Sequence, residues 1–114
     1  MQREEKKKIL ELYLIQETRL NRIRQMAVLF PERADYFEKK VINGENFRKD
    51  MEAKINALDD EILSEILFQK YILGKTLEEI SFTLNYSKRH IERLHIKALE
   101  KLDIASLQRV QKEL

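Results

Sequence analysis

Pro31, Gly44 and Gly74 are the only proline and glycine residues in 114 positions. β-Sandwiches and barrels reverse direction every few residues and draw heavily on both residue types. Average proteins carry about 12% of the two together. A chain with so few breakers is predicted to be all-α. Cysteine is absent, which excludes disulfides, Cys-based zinc sites and a thiol nucleophile. Hydrophobic residues at 43% and charged residues at 37% suit neither a disordered chain nor a membrane-spanning one. The length allows one domain with one core, or a small domain with a long extension. The longest uninterrupted apolar run, Met26 to Phe30, is too short to span a bilayer, so no membrane partner is expected. Lys6 to Lys8 precede an apolar stretch, but Glu11 interrupts it and no small-residue cleavage site follows. The expected location is cytoplasmic.

Residues 3 to 30 read as one long helix. Ile9, Leu12, Tyr13, Gln16, Leu20, Ile23, Ala27 and Phe30 form one stripe at three- and four-residue steps. Leu10, Leu14 and Ile15 widen it into a second surface, which marks this helix as the candidate homodimer element. Pro31 stops it. Residues 32 to 42 predict a short helix anchored by Ala34, Tyr36, Phe37, Val41 and Ile42. Asn43-Gly44 predicts a break with glycine at a helix C-terminus, since no alternating strands flank it. The helical period resumes from Glu45 to Ala57 with Phe47, Met51 and Ile55. Tyr13, Tyr36 and Phe47 are expected in the core.

The signals sharpen from residue 58. Asp59 predicts an N-cap, and Ile62, Leu63, Ile66, Leu67, Tyr71 and Ile72 give a buried stripe that Gly74 ends. Thr76-Leu77-Glu78-Glu79 is a capping box that opens a helix to about Leu84. Asn85 fits a left-handed turn, and Ser87 is a second N-cap. The last helix is expected to reach at least Asp103. Three regions follow: an N-terminal helical region at 1–57, a module at 58–103, and a helical extension or tail at 104–114.

Two short helices meeting across a three-residue turn have the spacing of a helix-turn-helix. Counting Leu77 as the first of twenty positions, apolar residues fall at Ile80, Leu84, Tyr86, Ile91 and Leu94. Small Ser81 stands where the two helices approach closely, and Asn85 stands at the reversal. On the second helix, Ile91, Leu94, Ala98 and Leu102 share one side, while Arg89 and Arg93 lie opposite with Lys97 beside them. Net charge is only +2, so placement rather than total charge must carry any nucleic-acid argument. Between 87 and 97 four basic residues face one acidic residue, Glu92. Lys88 and Arg89 sit in the first turn, where the helix dipole disfavours each cation by about 0.3–1 kcal/mol. Such conflict between local stability and sequence is expected at a functional site. Phosphates and base edges in the major groove would compensate it.

Residues 58 to 102 resemble region 4 of the sigma-70-class transcription factors. The likeness runs through Leu58-Asp59-Asp60-Glu61, Tyr71 to Ile80, Asn85-Tyr86-Ser87 and Ala98 to Leu102. A small chain with a long helix ahead of such a module is similar to phage and prophage transcriptional regulators, including the ArpU-type late-gene proteins and related short families of unassigned function. The resemblance implies an all-α fold: a long N-terminal helix plus a helical bundle with a C-terminal sigma-region-4-like helix-turn-helix. It also implies that Lys88, Arg89, Glu92 and Arg93, just after the second N-cap, read DNA. Glu92 stands where sigma factors favour a base, and Arg89 where they favour an acid, so a different DNA sequence is implied.

The expected function is that of a sequence-specific DNA-binding transcriptional regulator. The helix from Ser87 would enter the major groove with Arg89 and Arg93 on base edges. Thr76, Ser87, Lys88 and Lys97 would hold phosphates, and His90 would reach DNA. Double-stranded DNA and a second copy of the chain are the expected partners, with half-sites about 34 Å apart. RNA polymerase stands as a further partner. Two alternatives remain open: a module that binds polymerase or another regulator without reading DNA, and a helical structural protein with a solvated cationic face. His90 and His95 do not share a helix face, so no metal pair is expected. His95 is expected to pack inside. No phosphate loop, nucleophile elbow or zinc-protease motif is present, so neither enzymatic activity nor a cofactor is expected.

Overall fold

A computed structural model describes residues 1–107. Five α-helices run as α1 (Arg3–Leu29), α2 (Ala34–Asn56), α3 (Glu61–Leu67), α4 (Leu77–Leu84) and α5 (Lys88–Lys101). Among the described residues there is no strand. The fold is all-α.

Helix α1 ends where expected, and Pro31 opens a single 3-10 turn, Pro31–Arg33. The chain then reverses, and α2 returns along α1. The pairs that meet fix the antiparallel register: the Tyr13 hydroxyl donates to Glu52 at 2.9 Å, and Arg24 pairs with Glu45 further out. Asn43-Gly44 does not break the chain. Helix α2 passes through it without interruption, and Gly44 is buried against α1. A Cβ at that position would lie 2.7 Å from Leu20 Cδ2 and 3.4 Å from Gln16 Oε1. Glycine is used there for close helix approach rather than for a turn. Tyr36 also departs from expectation: it is exposed, with the Arg33 guanidinium over its ring, whereas Tyr13 and Phe47 are buried.

The core lies at one end of an elongated molecule of 53 × 27 × 21 Å. Ile9, Leu10 and Tyr13 of α1 meet Phe47, Met51 and Ile55 of α2, and both pack on α3 and α5. Leu10 therefore serves its own chain's core, while Leu14 and Ile15 stay exposed. Asp60, not Asp59, caps α3, its Oδ1 accepting from the backbone N–H groups of Ile62 and Leu63 at 3.0 and 3.2 Å. The shift of one residue leaves Glu61 in the first turn, where an acid suits the dipole. Beyond α3 the chain widens into a π-helical turn, Phe68–Ile72, and Gly74 ends it at φ +75°. Helix α5 stops at Lys101 rather than Asp103, because Leu102 turns extended. Ile104 and Leu107 then fold back as buried members of the main core. The rest of the expected tail, residues 108–114, lies outside the described residues. No helix among the described residues is long and apolar enough to cross a membrane.

Candidate nucleic-acid interface

Helices α4 and α5 are set by caps that sequence spells out. Thr76 Oγ1 accepts from the Glu79 N–H at 3.1 Å, and Glu79 Oε1 accepts from the Thr76 N–H at 3.2 Å. Ser87 Oγ accepts from the His90 N–H at 3.1 Å. Between them Asn85 takes φ 59° and ψ 41°, a left-handed conformation in which asparagine is among the best tolerated non-glycine residues. The Tyr86 N–H donates to the Ser81 carbonyl at 3.1 Å and closes the turn. Ser81 is buried, and its hydroxyl donates to the Glu78 carbonyl at 2.6 Å. Ile66, Ile80 and Ile91 form a small second core joining α3, α4 and α5, with Leu77, Leu84 and Leu94 around it.

This packing fixes which way α5 faces. Ile91, His95, Ala98 and Leu99 are buried. Lys88, Arg89, Glu92, Arg93 and Lys97 are exposed. No ion pair among the described residues engages Lys88, Arg89, Arg93 or Lys97. Arg93 lies 3.4 Å from His90 Nδ1, and the His90 ring stands edge-on to Tyr86. The first turns of α1, α2, α3 and α4 all carry acids, whereas that of α5 carries none. The helix macrodipole therefore opposes the side chains of α5 at its N-terminus and favours those of the other four.

The other end of α5 is tied to α1. Lys6 Nζ donates to the Leu99 and Glu100 carbonyls at 2.7 and 3.3 Å, a cation on otherwise unsatisfied C-terminal acceptors. His95 sits beneath the cationic face, 2.7 Å from the Tyr71 hydroxyl. Burial lowers its pKa to about 4, and Lys70, Lys7 and Arg3 push it the same way. His95 is thus a neutral packing residue at neutral pH, while burial raises the Tyr71 pKa and keeps the hydroxyl protonated.

Seven of the eight sequence-predicted site residues lie along α5 and its cap. Thr76 stands apart at the head of α4, where its hydroxyl accepts from one group of the capping box and donates to Glu79 Oε1 at 3.1 Å. Sequence reasoning missed Lys70 and Lys75. With Thr76 and Lys88 they line an open cleft of about 520 Å³, shared with Glu11 and Glu78. Lys75 adjoins the N-cap and was findable from that position. Lys70 was not, because the π-turn changes the angular register that a 3.6-residue period assumes. Among the described residues, no group of three His, Asp or Glu side chains could hold a metal ion. No protein-family model, no curated protein and no solved structure matches this chain.

Proposed function

We propose that this protein is a sequence-specific DNA-binding transcriptional regulator in which α4 and α5 act as a sigma-region-4-like helix-turn-helix. The observation that carries the reading is the first turn of α5. It alone among the five α-helices lacks an acid, and its cations are exposed and unpaired by any acid among the described residues. A duplex supplies what those cations lack. Arg89 and Arg93 take base edges, with guanine as the bidentate partner of an arginine. Lys88, Lys97 and Ser87 take phosphates, which orient the helix without reading sequence. Lys70 and Lys75 extend the phosphate track together with Thr76, which shares their cleft with Lys88. Glu92 accepts from a cytosine amino group or excludes other bases. One such unit makes a small interface, so a homodimer on two half-sites is the working assembly.

Fluorescence anisotropy with a duplex bearing the bound motif tests the assignment. Arg93→Ala is expected to weaken binding by about 1–3 kcal/mol and to relax one base position. Equal loss on every duplex would make Arg93 a phosphate contact instead. The second reading is a module that binds RNA polymerase or another regulator without touching DNA. Phe82, 78% exposed on α4, favours it. Salt separates the two, since phosphate binding weakens steeply as salt rises and an apolar contact through Phe82 does not.

A further inference from the structure

The end of the molecule farthest from the core carries an apolar surface that the described residues leave uncovered. A helix with one buried face needs apolar residues on one side only. Residues 26–30, at the end of α1, are all apolar and so cover every side of it. Val28 is 78% exposed and Leu29 68% exposed, and Ile42 on α2 is 56% exposed. Beside them Arg24, Ala27, Glu38, Val41 and Ile42 line a shallow cavity of about 280 Å³. Isolated exposed apolar residues are ordinary, but several gathered at one end of a molecule beside a cavity mark an interaction surface.

We propose that a second copy of this chain docks here, arm against arm, to form an antiparallel four-helix bundle at the tips of the two α1–α2 hairpins. Two observations select that occupant. The patch carries both signs of charge, Arg24 paired with Glu45 on one flank and Glu38 across the cavity. A two-fold axis sets each Arg24 near Glu38 of the second copy, the self-complementarity that an isologous interface requires. Second, among the described residues α1 and α2 pack at this end only on each other and on the short turn that joins them, and pairing two hairpins supplies both helices with the second neighbour they lack. The apolar Val28 and Ile42 then enter the cavity of the opposite copy. The dimer element is still the first helix, but at its far end, since Leu10 of its second surface belongs to the chain's own core.

The inference deepens the proposed reading, which needs two DNA-reading units, and it is tested without DNA so that the two can fail separately. Sedimentation equilibrium of the full chain is expected to show a reversible dimer of twice the 13.8 kDa chain mass. Val28→Glu and, independently, Ile42→Glu are expected to weaken dimerisation by about 100-fold or more while far-UV circular dichroism stays helical. Ile62→Glu, at an exposed apolar site on α3, is expected to leave the dimer intact. A wild-type chain that stays monomeric at every concentration would overturn the proposal and leave the patch to a different protein. So would a dimer indifferent to both arm variants, or open-ended larger assemblies.

Discussion

The two ends of this molecule are built by different rules. At the core end, α3, α4 and α5 are short, and the N-caps Asp60, Thr76 and Ser87 all accept backbone hydrogen bonds. Helices α1 and α2, which alone build the arm, are long, and neither Gln2 nor Arg33 makes a side-chain cap. Short helices are marginal alone and need explicit start signals, whereas long ones persist on accumulated backbone bonds and packing. The uncovered surface differs in the same way. The core end exposes cations on α5, and the arm end exposes apolar side chains at its tip. Charge left free implies a polar partner, and apolar surface left free implies a packed one. The two proposed roles, reading DNA and joining two copies, would thus separate in space, with the arm between them.

Three experiments sharpen that contrast, in descending order of expected effect. The first concerns the core end and is driven by pH. His95 holds its proton only below about pH 4 when folded, against about 6.5 when unfolded. Between those values the unfolded chain binds a proton that the folded chain refuses. Stability is unaffected well above pH 6.5, falls through that window, and levels off below it. The loss at its full extent is about 3 kcal/mol. Urea unfolding of the wild type and His95→Gln at pH 7.5 and 4.5 checks this, because carboxylate titration is common to both. The expected result is a markedly smaller acid loss in the variant. Equal losses would show that His95 titrates normally and that the floor of α5 is open to water.

The second concerns the arm. In an ordinary helix interior, replacing glycine with alanine gains about 1 kcal/mol. At Gly44 the added Cβ meets fully buried Leu20, and overpacking of that kind costs about 1–3 kcal/mol. Gly44→Ala is expected to lower the melting temperature, with a net loss of about 1 kcal/mol. A rise would mean that α1 and α2 are less closely held than their register implies. The third is the arm-tip pair Val28→Glu and Ile42→Glu, whose effect on folding is expected to be near zero while the dimer is lost. A large stability loss in either would show that the tip packs within one chain.

Legibility in the sequence followed the same division. The caps at Thr76 and Ser87 and the left-handed Asn85 were readable because each rests on contacts within a few residues, and the inward His95 and outward basic face of α5 because the apolar stripe of that helix divides its sides. Asn43-Gly44 was misread as a break because close approach of two helices and a helix end demand the same residue. Only the Leu20 contact across the chain separates the two uses. Tyr36 was misplaced because a period fixes which residues share a face, not whether another element covers that face. The π-turn after α3 left no compositional trace, and with it Lys70 escaped notice. Ile104 and Leu107 were indistinguishable from a tail, since their burial depends on a core assembled from distant parts of the chain that no local pattern encodes.

The central claim is that α5 reads DNA. The most direct test is to incubate the purified chain with a random-sequence duplex library and sequence what it retains, with Arg89→Ala/Arg93→Ala in parallel. The expected result is an enriched motif in the wild type that vanishes in the double variant. A palindrome in that motif would fit two arms joined at their tips. No enrichment at low salt, or the same motif from both proteins, would contradict the account.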